Sequence, residues 1–232
     1  MIKIYASPPA FGLPNPSPFV VKAFVLFKMA NIPYELAQMD FKQAPKGKIP
    51  YIEDNGKLLG DSTLIKFHLE EKYNADFDNG YSKEELAIGW AFEKMCEEHL
   101  YWIEVKDRWL IDENFDKGPR TFFDPVPAIL RPLIINSMRK KIRTNLFAHG
   151  LGRHSDSELL KLGKRDIDAL SAQLGDKLFL LGEEPCGYDA SVYGIVQSAA
   201  SPFFNSEIGE YIRSKFNISA YIKRIRELYF PT

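Results

Sequence analysis

Ser17-Pro18-Phe19-Val20 sets a hydroxyl beside a proline that can open a helix. A helix N-terminus presents unpaired N–H groups and the positive end of its dipole, so an anion placed there is stabilised. A serine hydroxyl at that point can also donate to a thiolate. Lowering a thiol pKa of ~8.5 by two units takes roughly 2.7 kcal/mol, about what one charge-assisted hydrogen bond and a helix terminus supply together. The same Ser-Pro pair also serves as an ordinary helix cap. A second cluster is Lys46-Gly47-Lys48-Ile49-Pro50-Tyr51-Ile52. A proline opening a hairpin strand suits a sheet edge or a cis peptide. The cis form would turn the Ile49 backbone outward to pair with an extended peptide ligand, with Lys48 beside it for a carboxylate. An edge proline flanked by solvated lysines is the plainer reading. The third cluster, Asp61-Ser62-Thr63 after Gly60, can hold both charges of an α-amino acid head group: the carboxylate on helix N–H groups and Ser62, the ammonium on Asp61. It also fits a simple N-cap.

These clusters need a frame, and the first ~75 residues alternate strand and helix. Ile2 to Tyr5 is a β-rich run, followed by a loop containing Pro8, Pro9, Pro14 and Pro16. Ser17 and Pro18 then start a helix whose apolar residues Val21, Phe24 and Val25 recur at helical spacing, and Asn31-Ile32-Pro33 ends it. Tyr34 to Met39 reads as a second strand, giving a β-α-β unit with a right-handed crossover. Asn55-Gly56, between Ile49–Asp54 and Lys57–Leu59, is the signal of a tight hairpin. A helix carrying Leu64, Ile65, His68 and Leu69 follows. From Ser82 onward the pattern is helical only. A long run from Leu86 to Trp109 has Ile88, Phe92, Met95, His99 and Trp102 as its expected inner face. A proline-broken stretch from 119 to 132 and a basic helix around Arg139–Arg143 come next, and then helical runs over 156–174, 190–200, 207–215 and 219–228. The expected class is α/β plus all-α: a βαβ-ββα domain over 1–76 and a helical domain over 83–232.

Composition narrows the function. The 232 residues are 45% hydrophobic and 26% charged, with 30 Lys and Arg against 31 Asp and Glu. That is globular rather than disordered, and the neutral balance predicts neither a nucleic-acid partner nor a membrane partner. Arg139–Arg143 is expected to be a solvated helix face. No apolar run approaches the ~20 residues of a membrane span, and MIKIY lacks the pattern of a signal peptide, so a cytoplasmic protein is expected. Cys96 and Cys186 are far apart and read as small buried hydrophobes. His68, His99, His149 and His154 form no metal-ligand spacing, so no metal is expected. Phosphate-binding glycine loops and the G-x-S-x-G elbow are missing.

The three clusters in this order resemble the glutathione transferase superfamily, whose first domain is thioredoxin-like, with S-P-F at the first helix, G-K-x-P before a hairpin strand, and an acid-Ser pair opening a later helix. The resemblance runs over the whole chain. Gly150-Leu151-Gly152-Arg153-His154, Asp166 to Leu170, Leu174 to Lys177 and Gly182 to Gly194 resemble the failed-axon-connections and metaxin-like branch. The resemblance implies glutathione as co-substrate and no metal. Ser17 would activate its thiol, Lys48 would meet its glycine carboxylate, and Ile49 with a cis Pro50 would pair with its cysteinyl part. Asp61 and Ser62 would hold its γ-glutamyl head. Phe11, Tyr101, Trp102 and Trp109 are the candidates for lining the pocket of a small apolar electrophile. Asp189 matches the superfamily's folding aspartate, with Cys186 where a hydroxyl cap usually stands. Serine at 17 and valine at 20 leave disulfide exchange without its nucleophile, which points to conjugation. The same resemblance leaves room for an interaction protein on this fold, or for another glutathione-dependent reaction such as dehalogenation, isomerisation or peroxide reduction. It also implies a homodimer.

Overall fold

A computed structural model describes residues 1–231. The chain opens with β1 (Ile2–Ala6), α1 (Pro18–Met29), β2 (Tyr34–Gln38), β3 (Tyr51–Asp54), β4 (Lys57–Gly60) and α2 (Ser62–Tyr73). The four strands form one sheet in the order β2-β1-β3-β4. β1 and β2 run parallel, as a βαβ crossover requires, and the other pairs are antiparallel. Asn55 and Gly56 both take positive φ, 49° and 75°, the left-handed pair that a two-residue hairpin needs. Tyr5 and Tyr51 stack across β1 and β3 with ring centroids 4.3 Å apart.

The remaining elements are helices: α3 (Lys83–Met95), α4 (Tyr101–Leu110), α5 (Asp112–Lys117), α6 (Arg131–His149), α7 (Asp156–Leu174), α8 (Gly187–Ala199), α9 (Glu207–Ser214) and α10 (Phe216–Tyr229). α2 ends at Tyr73, and α3 starts at Lys83 behind a Ser82–Glu85 capping box. The main apolar core runs through both halves, from Ile4 and Phe27 to Ile195 and Ile225, and a smaller cluster of Phe115, Phe123 and Ile135 sits apart from it. α8 is buried along nearly its whole length and crosses the first turn of α1. A Cβ on Gly194 would sit 2.6 Å from the Pro18 carbonyl oxygen, so only glycine lets these two helices meet where α1 begins. Asp189 anchors α8 from within: its carboxylate accepts from the Cys186 and Leu180 N–H groups at 2.8 and 2.9 Å and from the Tyr221 hydroxyl at 2.9 Å. Cys96 and Cys186 are buried and unpaired, and burial pushes both thiols up.

The expected single helix over 86–109 is two helices joined by a π-helical turn, Cys96–Leu100. The expected inner stripe lies about one residue out of phase. Ile88 is exposed, whereas the deepest positions are Glu93, Cys96, Glu97, Leu100, Ile103, Glu104 and Arg108. Four of those seven are of charged residue types, so apolar periodicity could not find the face. Lys22, 1% exposed on α1, fills the polar gap: its Nζ donates to Glu97 Oε1 at 2.6 Å and Thr63 Oγ1 at 2.9 Å and lies 3.3 Å from Glu93 Oε1. Burial works against the Glu97 carboxylate, but Lys22, Lys94 and Ser191 outweigh it and hold its pKa below the usual value.

Candidate active site

Asn15 sets the geometry around Ser17. Its side-chain amide donates to the Ser7 carbonyl at 2.6 Å, while its Oδ1 accepts from the Ser17 N–H at 2.9 Å. This Asx turn fixes the residue before α1 without using the Ser17 hydroxyl. Ser17 occupies the N-cap position, and its carbonyl accepts from Val20 and Val21, yet its side chain makes no cap bond. Since the Pro18 nitrogen carries no hydrogen, the Phe19 N–H is the first free donor of the helix. Among the described residues Ser17 Oγ has no hydrogen-bond partner, and it stands beside the positive end of α1.

That hydroxyl belongs to the wall of a cavity of about 360 Å³ between the two halves, within the range of small-molecule sites. Phe11, Ile49, Tyr101 and Trp109 share the wall with it. Phe11 reaches it from a turn in which it and Gly12 take φ of 61° and 71°. Holding phenylalanine there costs conformational energy. Rings of Phe122, Phe203 and Phe204, 5.0–5.6 Å away, together with the Ser201 hydroxyl on the Phe11 carbonyl, hold it in place. The Tyr101 hydroxyl has no hydrogen-bond partner among the described residues. Burial, then the Glu104 charge, push its pKa up to about 12, with Arg108 opposing, so at neutral pH it is a donor. Trp102, one residue on and a quarter-turn round the helix, does not line the cavity. Its ring packs against His149 at 4.8 Å.

Glu104 and Arg108 also line the cavity, and sequence reasoning passed over both. Arg108 donates to the Pro16 carbonyl at 3.2 Å and to the Ser198 carbonyl at 2.6 Å, and it pairs with Glu104 at 2.9 Å. It thus ties the loop ahead of Ser17 to α8. Burial raises the Glu104 pKa, with Arg108 and Ser198 working against it. Asn15 was missed as well, although its place two residues before Ser17 in a proline-rich loop is a readable Asx-turn signal.

The other two clusters lie on the sheet side of Ser17. The Ile49–Pro50 peptide is cis, and neither the Ile49 N–H nor its carbonyl has a partner among the described residues. Lys48 is exposed next to it, outside the cavity wall and, among the described residues, without an ion pair. Asp61 is joined to this segment by its N–H to the Pro50 carbonyl at 3.4 Å. Its φ of 91° is a left-handed value rare for a side-chain-bearing residue, a strain that functional positions often carry. Asp61 Oδ1 caps α2 by accepting from Thr63 and Leu64 at 2.9 and 3.1 Å. Among the described residues the second Asp61 carboxylate oxygen and the Ser62 N–H and hydroxyl have no hydrogen-bond partner, and Ser62 is buried.

Residues 18–114 match the glutathione S-transferase N-terminal domain, and residues 163–225 match the glutathione S-transferase C-terminal domain. The chain is 32% identical over 99% of both chains to isoprene-epoxide–glutathione S-transferase of Rhodococcus sp. (strain AD45). It is 28% identical to failed axon connections of Drosophila melanogaster, spanning 94% of this chain and 56% of that one. Metaxin-1 of Mus musculus is 27% identical over 82% of this chain and 62% of its own. Among solved structures, the beta-etherase of Sphingobium sp. strain SYK-6 superposes with a TM-score of 0.68 at 17% identity, covering 97% of this chain and 94% of that one. The chain belongs to the glutathione S-transferase superfamily, in the branch that holds failed axon connections and the metaxins.

Proposed function

We propose that this protein is an enzyme that conjugates glutathione to a small apolar electrophile, and that Ser17 activates the thiol. The unpartnered Ser17 hydroxyl at the α1 N-terminus, in the wall of a largely apolar cavity, carries this reading. Glutathione lies across the start of β3 and the N-terminus of α2, with its γ-glutamyl ammonium on Asp61 and its carboxylate on the Ser62 N–H and hydroxyl. Its cysteinyl backbone pairs with Ile49, and Lys48 meets its glycine carboxylate. The thiol then meets Ser17 at the cavity mouth. Calorimetric titration of glutathione should give binding to the wild type that Asp61→Ala and Ser62→Ala each weaken by roughly tenfold or more. Unchanged affinity in both variants overturns the head-group assignment.

The isoprene-epoxide relative favours an epoxide as the electrophile. The thiol releases its proton to solvent and the thiolate sulfur bonds to a ring carbon. The carbon–oxygen bond breaks, and the freed oxygen takes a proton from the Tyr101 hydroxyl, which is reprotonated from solvent. Tyr101→Phe should lower kcat for an epoxide about tenfold and leave glutathione affinity unchanged; an unchanged kcat removes Tyr101 from this step.

We place the enzyme in the cytoplasm as a homodimer, with exposed Leu58, Leu64, Phe67 and Trp90 of β4, α2 and α3 as the surface a second copy covers. Failed axon connections and the metaxins favour a second reading, a protein that uses this fold for contacts with other proteins. Absence of glutathione binding in a folded protein would select it.

A further inference from the structure

The neutral net charge conceals a local asymmetry. Residues 125–155 contain Arg131, Arg139, Lys140, Lys141, Arg143 and Arg153 and no acid, in a chain with 31 acids elsewhere. The carboxylates facing this stretch, Asp112 and Asp124, are already paired with Arg139 and Arg131. Lys140, Lys141 and Arg143 have no ion-pair partner among the described residues.

The same segment carries aliphatic side chains turned to solvent. Ile129 is 89% exposed and Leu133 70%, with Leu130 and Ile134 beside them. α6 faces the protein through Ile135 and Leu146, so Leu133 and Ile134 lie off its buried side, and Ile129 and Leu130 stand in the turn just before it. Leu133 and Lys140, like Ile134 and Lys141, are seven residues apart. Each pair therefore shares a face, separated along the axis by about 10 Å. An aliphatic tip with lysines two turns behind it matches the depth profile of a helix seated at a lipid surface: apolar groups among the acyl chains and ammonium groups at the phosphates. Phe122 and Met138, both exposed, join this tip to the cavity wall.

We propose that the N-terminal end of α6 and the loop before it dock on an anionic lipid bilayer, with the mouth of the cavity at the interface. Unpaired lysines give the attraction to acidic headgroups, and the aliphatic tip distinguishes this surface from a nucleic-acid site. The contact is peripheral, since no helix among the described residues is long and apolar enough to cross a membrane. Docking does not depend on the glutathione reading. If both hold, the cavity draws apolar electrophiles dissolved in the bilayer.

Sedimentation with vesicles tests this. The wild-type protein should partition onto phosphatidylcholine vesicles containing phosphatidylserine, but not onto phosphatidylcholine alone, and added NaCl should release it. Lys140→Glu/Lys141→Glu and Ile129→Asp/Leu133→Asp should each weaken partition roughly tenfold or more. Both pairs should keep wild-type thermal stability and glutathione affinity in solution, which separates failure of docking from failure of the glutathione site. No partition at low salt, partition indifferent to phosphatidylserine, or partition unchanged in either double variant overturns the proposal. A concentration-dependent dimer lost in Ile129→Asp/Leu133→Asp, without vesicle binding, assigns the face to a second copy and overturns it too.

Discussion

Ser17→Ala should lower kcat/KM for conjugation of glutathione to an epoxide by about tenfold to a hundredfold at neutral pH. The substitution removes one donor and little else. The Ser17 side chain makes no cap bond, its carbonyl still accepts from Val20 and Val21, and its N–H still reaches Asn15. The helix and the loop therefore persist, and thermal stability should stay close to the wild type. What changes is the thiolate. With the hydroxyl gone, the helix terminus alone stabilises the sulfur anion, and the fraction of bound glutathione that is ionised near pH 7 falls. The loss should shrink as pH rises toward the thiol's own pKa, because the alanine variant then gains the thiolate it lacked. A uniform loss at all pH values, or none, would remove thiol activation from Ser17.

Lys22→Met should cost about 3–5 kcal/mol of stability, the usual penalty for breaking a buried ion pair from one side. For a chain of this size the melting temperature would drop by roughly 6–20 °C. Lys22 sits where α1 meets α3 and the π-helical turn, with Glu93 and Glu97 in the same dry pocket. Methionine fills the space but leaves two buried carboxylates facing Lys94 alone. Adding Glu97→Gln should restore a good part of the loss by rebalancing the charge, an interaction that double-mutant comparison reads directly. A single variant within the ~0.5 kcal/mol expected of an exposed site would contradict the reading of this network. Lys22 also donates to Thr63 in the first turn of α2, so the same network braces the helix end that carries Asp61 and Ser62.

The first domain was legible because its signals are local. Asn55-Gly56 demands a hairpin, Pro18 opens a helix, and Ile49-Pro50-Tyr51 marks the strand that the Ile49 backbone precedes. Ser17, Ile49, Phe11, Tyr101 and Trp109 fall on one cavity wall. The start of the second domain was less legible because the inner face of its first two helices is largely polar. Glu93, Glu97, Glu104 and Arg108 carry the buried side of α3 and α4 through pairing with α1 and α8, and pairing between distant segments leaves no periodic trace. The π-helical turn adds to this, since one widened turn shifts the face of everything after it. Within α4 itself, one residue of helical rotation separates Tyr101, in the cavity, from Trp102, packed on His149. Arg108 acts on the site through carbonyls at Pro16 and Ser198, partners that only the folded chain brings together. The basic run in α6 was visible, but its pairing with an aliphatic tip emerged only once Ile135 and Leu146 defined the buried side.

The most direct test of the account is the ionisation of enzyme-bound glutathione, followed by thiolate absorbance against pH for the wild type and Ser17→Ala. The wild type should bind glutathione and ionise its thiol well below the ~8.5 of a free cysteine, and Ser17→Ala should return the titration most of the way toward that value. A bound thiol that titrates like the free one in the wild type, or no binding at millimolar glutathione in a protein shown to be folded, would contradict it.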